Sequence, residues 1–274
     1  MTYISVDDVR RASGAPSSLI SDATITSFIE LVEPEMERWL NTKFVPTEKI
    51  DILTGSGSER IFTTKNPLLA VRELSTNSTD VSVAELEIKK SSGKITLAND
   101  AEVGTFLIKD NDTIIKYLYG LLEDSTTSST TSAAETAGTD VSIALASITG
   151  FSDEDWCEIV GMDGFREVFQ INGTPAAGAI VADQLIFAHE SGSTVTKLQI
   201  PYHIKRYMEI EAAIGVAINA IGATYTFNAS YSLGELSVVK GVPYTHWRES
   251  VQRLVAEREM RQARIKPRPY VVVG

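Results

Sequence analysis

The sequence predicts an α+β molecule: a helical bundle core formed by the N- and C-terminal segments, carrying inserted β-rich domains, one of which resembles a small β-barrel. Three observations predict it. Apolar residues recur at helical spacing near both ends of the chain, and short β-branched runs separated by Gly, Ser, Asn and Asp fill the middle. A Ser- and Thr-rich run at 124–139 then divides that middle in two. The expected parts are a helical core of residues 1–48 and 200–274, a β-rich segment at 49–122, a flexible linker at 123–140 and an inserted small β domain at 141–199.

Ser5-Val6-Asp7-Asp8 reads as a helix start, since the Ser5 hydroxyl can accept a free backbone N–H and acids in the first turn suit the positive helix end. Gly14 and Pro16 stop that helix. From an N-cap at Ser21, the residues Ile25, Phe28, Ile29, Val32, Met36, Trp39 and Leu40 form one helical face, which predicts a helix to Thr42 kinked at Pro34. Strands are expected at Lys49–Leu53, Arg60–Thr63, Ala70–Leu74, Leu86–Lys89, Lys94–Leu97, Thr105–Lys109 and Thr113–Leu118.

Residues 124–139 hold almost no large apolar side chain to offset the entropy of ordering, so a flexible linker or exposed loop is expected there. Further strands are expected at Val141–Leu145, Trp156–Val160, Glu167–Ile171, Gln184–Phe187 and Val195–Leu198. After Pro201, Ile204, Tyr207, Met208, Ile210, Ile214, Val216, Ile218 and Ile221 make a helix apolar around most of its circumference, which is the pattern of a buried helix. Ala212, Ala213, Gly215, Ala217 and Gly222 would let neighbouring helices approach it closely. A loop at 226–240 carries an extended-looking segment from Tyr231. Thr245 then caps a last helix with Trp247, Val251, Leu254 and Val255 on one side, and Pro267 and Pro269 end it. The β-prone run Tyr270-Val-Val-Val-Gly274 suits pairing with a sheet edge.

At 274 residues and 43% hydrophobic content the chain can bury a sizeable core. The single cysteine, Cys157, excludes an intramolecular disulfide and a thiolate-rich zinc site, because both need several sulfurs. No basic region followed by an apolar run opens the sequence, and no stretch approaches the roughly 18 apolar residues a membrane span requires. Neither secretion nor membrane insertion is expected. The net charge of -11 argues against wrapping by nucleic acid, whose phosphates are held mainly by Lys and Arg. Within residues 245–274, seven basic side chains against three acidic ones leave +4, so the rest of the chain carries -15. Such a polarised chain suggests a basic arm that meets an acidic partner or nucleic acid.

No catalytic, cofactor-binding or metal-ligating residue is expected. The phosphate-binding loop, the His-Glu-x-x-His zinc helix, the Gly-x-Ser-x-Gly elbow and the Cys-x-x-Cys pair are all missing. Gly55-Ser56-Gly57-Ser58 lies between two strand-like runs and reads as a hairpin turn. His189, His203 and His246 are scattered, and Asp153-Glu154-Asp155 reads as a solvated turn rather than a cation site. Cys157 falls inside a strand, as a small core residue.

The run Tyr3-Ile4-Ser5-Val6-Asp7-Asp8-Val9-Arg10, followed by Leu19–Ile25 and a helix ending Trp39-Leu40-Asn41-Thr42-Lys43-Phe44, resembles the opening of head-tail connector (adaptor) proteins of tailed bacteriophages and related tailed viruses. Those proteins continue with a Gly-Ser turn and a short strand near a proline, matched here by Thr54–Ser58, Arg60–Thr63 and Asn66-Pro67-Leu68. A second likeness, at Ile148–Phe151, Asp155-Trp156, Glu167-Val168, Ala188–Gly192 and Val195, is to a β module of tailed-virus virion proteins. The compact members of the family are much shorter, so the β insertions are a departure from its pattern.

The resemblance implies a non-catalytic structural protein of the virion neck, assembled in the host cytoplasm. Its partners would be the portal protein, neighbouring copies in a ring, usually of twelve, and a downstream neck or tail-completion protein. Genomic DNA would pass through the channel without specific binding, and no membrane is involved. An acidic channel wall would repel DNA phosphates and let the duplex slide. Trp247, Arg253, Arg258, Arg261, Arg264, Arg268, Tyr270 and Val272 are the expected portal or neighbour interface, with the arginines facing acidic surface, Trp247 as apolar anchor and Tyr270–Val273 adding a strand to a neighbour. The alternatives are a tail-completion (stopper) protein, or a host- or ligand-binding module in which Trp156, Phe165 and Phe169 form a sugar platform.

Overall fold

Strands outweigh helices in this chain. The computed structural model describes residues 3–98, 103–106, 108–162, 164–225, 231–233, 236–238 and 243–265. The chain divides into two units, Thr42–Ile200 and Met1–Asn41 with Pro201–Gly274.

The first half of Thr42–Ile200 contains β1 (Thr47–Leu53), β2 (Arg60–Phe62), β3 (Leu68–Thr76), β4 (Thr79–Asp80), β5 (Leu86–Lys89), β6 (Lys94–Leu97) and β7 (Thr113–Tyr119). They form two antiparallel sheets, one of order β1-β7-β3-β4 and one of order β2-β6-β5. Ile61, Leu68, Val71, Leu74, Ile95, Phe106, Ile115 and Tyr117 share one apolar cluster drawn from both sheets. At its border Asp51 is buried and accepts from the Thr64 N–H and hydroxyl, each at 2.7 Å, and from the Tyr117 hydroxyl at 2.8 Å, with Lys49 at 3.1 Å. Burial works to raise the Asp51 pKa, but the donors from Thr64, Tyr117 and Lys49 outweigh it and hold the carboxyl below its ordinary value. Among the described residues of 105–109 there is no strand: Phe106 exchanges backbone bonds with Gly57 and Ser58, so the run braces the glycine-serine turn instead of entering a ladder.

β3 is buried on both faces from Leu68 to Arg72 and is bulged twice. Where β7 advances by one residue, from Tyr119 to Leu118, β3 advances by two, from Leu68 to Ala70, and the same happens between Val71 and Glu73. The extra residues are Leu69 and Arg72. A bulge turns its residue out of the strict in-out alternation. Leu68, Val71 and Leu74 thus stay in the first cluster, while Leu69 joins Ala70, Leu118 and Val168 in a second, against which Leu122, Trp156 and Leu198 pack. Arg72, also buried, donates from Nη2 to the Val168 carbonyl at 2.7 Å.

The second half contains β8 (Glu123–Thr130), β9 (Gly138–Ala144), β10 (Trp156–Val160), β11 (Arg166–Gln170), β12 (Ala179–Leu185) and β13 (Thr194–Gln199). One sheet has the order β11-β10-β13-β8 and the other pairs β12 with β9. Single bridges at Thr131↔Leu145 and Ile171↔Ala182 join their edges, so the neighbours run β8-β9-β12-β11-β10-β13 and back to β8. Ile143, Leu145, Cys157, Ile159, Phe169, Ile171, Ile180 and Val195 fill the third apolar cluster, contributed by β9 to β13.

Two expectations are corrected. The flexible linker at 123–140 is instead β8 and the start of β9; β8 pairs with β13 from Glu123↔Gln199 to Thr130↔Thr194. Its Thr residues are β-branched, its side chains alternate between exposed and half-exposed, and its backbone bonds are made to a partner strand. Apolar content within the segment therefore says little about its order. The helical bundle core of residues 1–48 and 200–274 with β insertions is overturned as the fold class: among the described residues of Thr42–Ile200 there are thirteen strands in four antiparallel sheets, and the helices are the smaller part. Periodicity shows what an element is, but the weight of the fold follows apolar burial, and the sheets close on three clusters of their own.

The other unit has α1 (Val6–Ser13), α2 (Asp22–Leu40), α3 (Tyr202–Tyr225) and α4 (Pro243–Gln262), with a hairpin of β14 (Tyr231–Leu233) and β15 (Leu236–Val238). Ser5 and Ser21 accept the N–H groups of Asp8 and Thr24 at 3.1 and 3.2 Å, and Gly14 ends α1 in the left-handed region at φ 71°. Helix α2 continues through Pro34 to a left-handed Asn41. α4 begins at Pro243, ahead of Thr245, since proline's fixed φ suits a first helical turn. α1, α2 and α4 all contact α3, whose Met208, Ile210, Ala212, Ala213, Val216, Ala217 and Ala220 are buried. Gly215 is the close approach: a Cβ there would lie 2.6 Å from the Phe28 ring of α2. Trp39 stacks on Tyr207 at 6.1 Å.

Gly215→Val is therefore expected to cost about 1–3 kcal/mol by overpacking, read as a lowered midpoint in denaturant. Asp51→Ala leaves buried donors without an acceptor and is expected to cost about 2–4 kcal/mol. Because the folded pKa of Asp51 lies below its unfolded value of about 3.9, its contribution is fully present above that pH and fades as pH falls through the folded value. The gap between wild type and Asp51→Asn in urea melts should then narrow in acid.

Candidate functional site

The interface residues expected on the last helix divide into three groups. Arg253 and Arg264 are exposed, and Met260, two helical turns on from Arg253, is 56% exposed. Arg258 and Arg261 point into the helical unit: Arg258 lies 3.6 Å from Glu211 of α3, and Arg261 lies 2.9 Å from Glu257, which Arg206 of α3 also reaches at 3.3 Å. Burial works to raise the Glu257 pKa, but the donors from Arg261 and Arg206 outweigh it and hold the carboxyl below its ordinary value. Arg258 ties α4 to Glu211 of α3, and Arg261 braces Glu257 where Arg206 of α3 meets it. The backbone of Trp247 lies in α4, its side chain is outside the described set, and Arg268, Tyr270 and Val272 lie outside the described residues.

The sugar platform does not assemble. Cys157, beside Trp156 in β10, pairs with Phe169 in β11, and Phe169 is buried in the third cluster while Trp156 packs against the second. Successive strand residues point to opposite faces, so these two rings cannot form one surface. Phe165 stacks instead on Phe187 at 5.1 Å.

The acidic cluster is used up in turns. Asp153 accepts the Gly173 N–H at 2.7 Å, and Asp155 accepts the Ser152 N–H at 2.7 Å and pairs with Lys197 at 2.7 Å. Among the described residues no group of three or more His, Cys, Asp or Glu side chains is placed to hold a metal. Cys157 is fully buried, and burial pushes its thiol pKa up to about 12, which removes it as a nucleophile at neutral pH. His203 is exposed at the start of α3, and no helix among the described residues is long and apolar enough to cross a membrane.

Sequence reasoning missed two features. The first is a buried polar group within the six-strand ring. Glu167 accepts from the Ile186 and Phe187 N–H groups at 2.6 and 3.1 Å and bonds His189 Nε2 at 2.6 Å, with both side chains buried. A signal for it existed, since Glu167 shares the alternation of the core residues Phe169 and Ile171 and so stands at an apolar position. The second is a set of exposed isoleucines: Ile50 and Ile52 on β1 are 56% and 57% exposed, and Ile114, opposite Ile52 on β7, is 43% exposed. The features available are thus surfaces: the exposed Arg253 on α4 and Arg264 just after it, and exposed isoleucines along β1 and β7.

Glu167→Ala is expected to cost about 3 kcal/mol or more, since it strands a buried imidazole and two N–H groups, and Glu167→Gln is expected to cost less. Thermal unfolding of the two variants beside wild type checks the order. No protein-family model and no curated protein matches the chain.

Proposed function

We propose that the protein is a structural head-tail connector of a tailed virus, docking in a ring beneath the portal around the DNA channel and joining the capsid to the neck and tail. The observation that carries this reading is the stretch that resembles the connector opening: Tyr3–Phe44 holds α1 and α2, capped at Ser5 and Ser21, with Arg10 bonded to the Ala15 and Ile20 carbonyls and so bracing the turn between them. The charge distribution supports it as well. Arg253 and Arg264 stand exposed on or just after α4, while the chain outside residues 245–274 carries -15. An acidic wall repels the DNA phosphates, and the exposed arginines suit an acidic docking surface. The role asks for no bond to be made or broken.

Electron microscopy of the tagged protein recovered from a virus-producing lysate tests the reading; a ring seated on a portal is the expected image, and a lone chain bound to no virion component would overturn it. Arg253→Glu with Arg264→Glu is expected to abolish recovery of the portal while moving stability by only about 0.5 kcal/mol, as exposed substitutions do. Arg258→Glu is expected to loosen the helical unit through its contact with Glu211, and far-UV circular dichroism melts separate the two effects.

A further inference from the structure

The six-strand ring of β8 to β13 is joined to the strands before it in two ways. The first is its root: Glu123 pairs with Gln199, so the chain enters and leaves the ring through neighbouring peptides. Two crossings side by side hold the ring in place and leave a rotation open. The second is a seam with β3, where Leu69, Ala70 and Leu118 meet Val168 of the ring, and Trp156 and Leu198 pack against them. The ring's own interior is the larger body, with eleven buried residues against the four of the seam.

Closing the seam works against two polar groups. Among the described residues Arg72 bonds the Val168 carbonyl and no carboxylate, and its Nη1 and the Trp156 Nε1 are buried without a hydrogen-bond partner. A buried donor without an acceptor costs about as much as a buried leucine contributes, and a buried guanidinium without a counter-charge costs more. These groups regain water when the seam parts. The salt bridge across the seam has a second partner waiting. Glu158 of β10 pairs with Lys90 from outside the ring, and with Arg166 of β11, inside it, at 3.6 Å. When Lys90 withdraws, Arg166 remains beside the acid.

We propose that the ring is a hinged body: it swings about the root at Glu123 and Gln199, opening and closing the seam with β3 without unfolding, while Glu158 passes from Lys90 to Arg166. The swing redirects most of the chain's charge, because the twelve acidic and two basic side chains of residues 123–199 carry -10 of the total of -11. The device belongs to the free chain and does not rest on the connector reading.

Native-state thiol labelling of the full chain with iodoacetamide tests it. Ala70→Cys places a thiol in the seam, while Cys157, fully buried in the ring's interior, reports unfolding of the ring itself. Each rate is read by mass spectrometry and divided by the rate of the same thiol in denaturant, which removes the difference in their intrinsic reactivity. The introduced thiol is expected to react at least about tenfold faster than Cys157, because a local opening costs less than unfolding the whole ring. Lys90→Ala should speed it several-fold by removing one side of the latch; Lys90 is partly exposed, so the substitution leaves the fold intact. Arg72→Met should slow it several-fold, because an apolar side chain fills the seam without an unpaired charge. Cys157 should be unmoved by either change. Equal rates for the two thiols, labelling that Lys90→Ala leaves unchanged, or faster labelling in Arg72→Met with the Cys157 rate unmoved would overturn the proposal.

Discussion

A regular strand offers each face only every second side chain, yet β3 has to serve two apolar clusters at once. It lies in the middle of its sheet between β7 and β4, with the first cluster on one side and β11 on the other. Two extra residues resolve the conflict. Leu69 and Arg72 are the positions at which β3 outruns β7, and they are also the positions from which the strand reaches the second half of Thr42–Ile200. Without the bulges Leu68 and Val71 would fall on opposite faces, and one of the two clusters would lose a member.

Magnitudes decide what holds the two halves of that unit together. A fully buried Leu or Val contributes about 1.5–3 kcal/mol, and the second cluster draws on Leu69, Leu118 and Val168. The Arg72 bond to the Val168 carbonyl contributes about 1.5–3 kcal/mol at most, and among the described residues the buried Arg72 Nη1 has no hydrogen-bond partner to offset its desolvation. Apolar contact therefore supplies the strength of the joint, and Arg72 supplies direction. Lys90, just after β5, adds a second polar tie to the buried Glu158 of β10, so the approach is fixed at two points as well as pressed together.

Local features were legible in the sequence and remote ones were not. Ser5 and Ser21 announce helix starts because a cap and its N–H lie three residues apart, and α3 announces itself through the run from Ile204 to Ile221. β8 was not legible, because what orders Thr126 to Thr130 is a ladder to β13 some 65 residues on. The bulges at Leu69 and Arg72 exist only relative to the register of β7, which no single strand contains. The same holds for the arginines of α4: Arg253 and Arg258 look alike in sequence, and Glu211, far back on α3, separates the engaged one from the exposed one. Periodicity near the chain ends also overweighted the helices, since regular spacing is easier to see than the apolar surface gathered by many short strands. Glu167 is the instructive omission, a charged residue at a core position of the alternation, which on its own should have pointed to a buried partner.

The pairing of Glu123 with Gln199 has a consequence for how such a chain can change over time. The first residue of β8 stands directly across from the last residue of β13, so the six-strand ring leaves and rejoins the rest of the chain at neighbouring positions about 4.5–5.5 Å apart. A segment whose two ends meet can be gained, exchanged or lost as one cassette, with a single short peptide closing the gap behind it. The ring carries its own apolar interior and its own backbone ladder. Among the described residues its outward commitments are Val168, Trp156 and Leu198 against the second cluster, the Val168 carbonyl to Arg72, and Glu158 to Lys90. Inheritance could therefore treat these residues as a detachable part while leaving the strands before them in place.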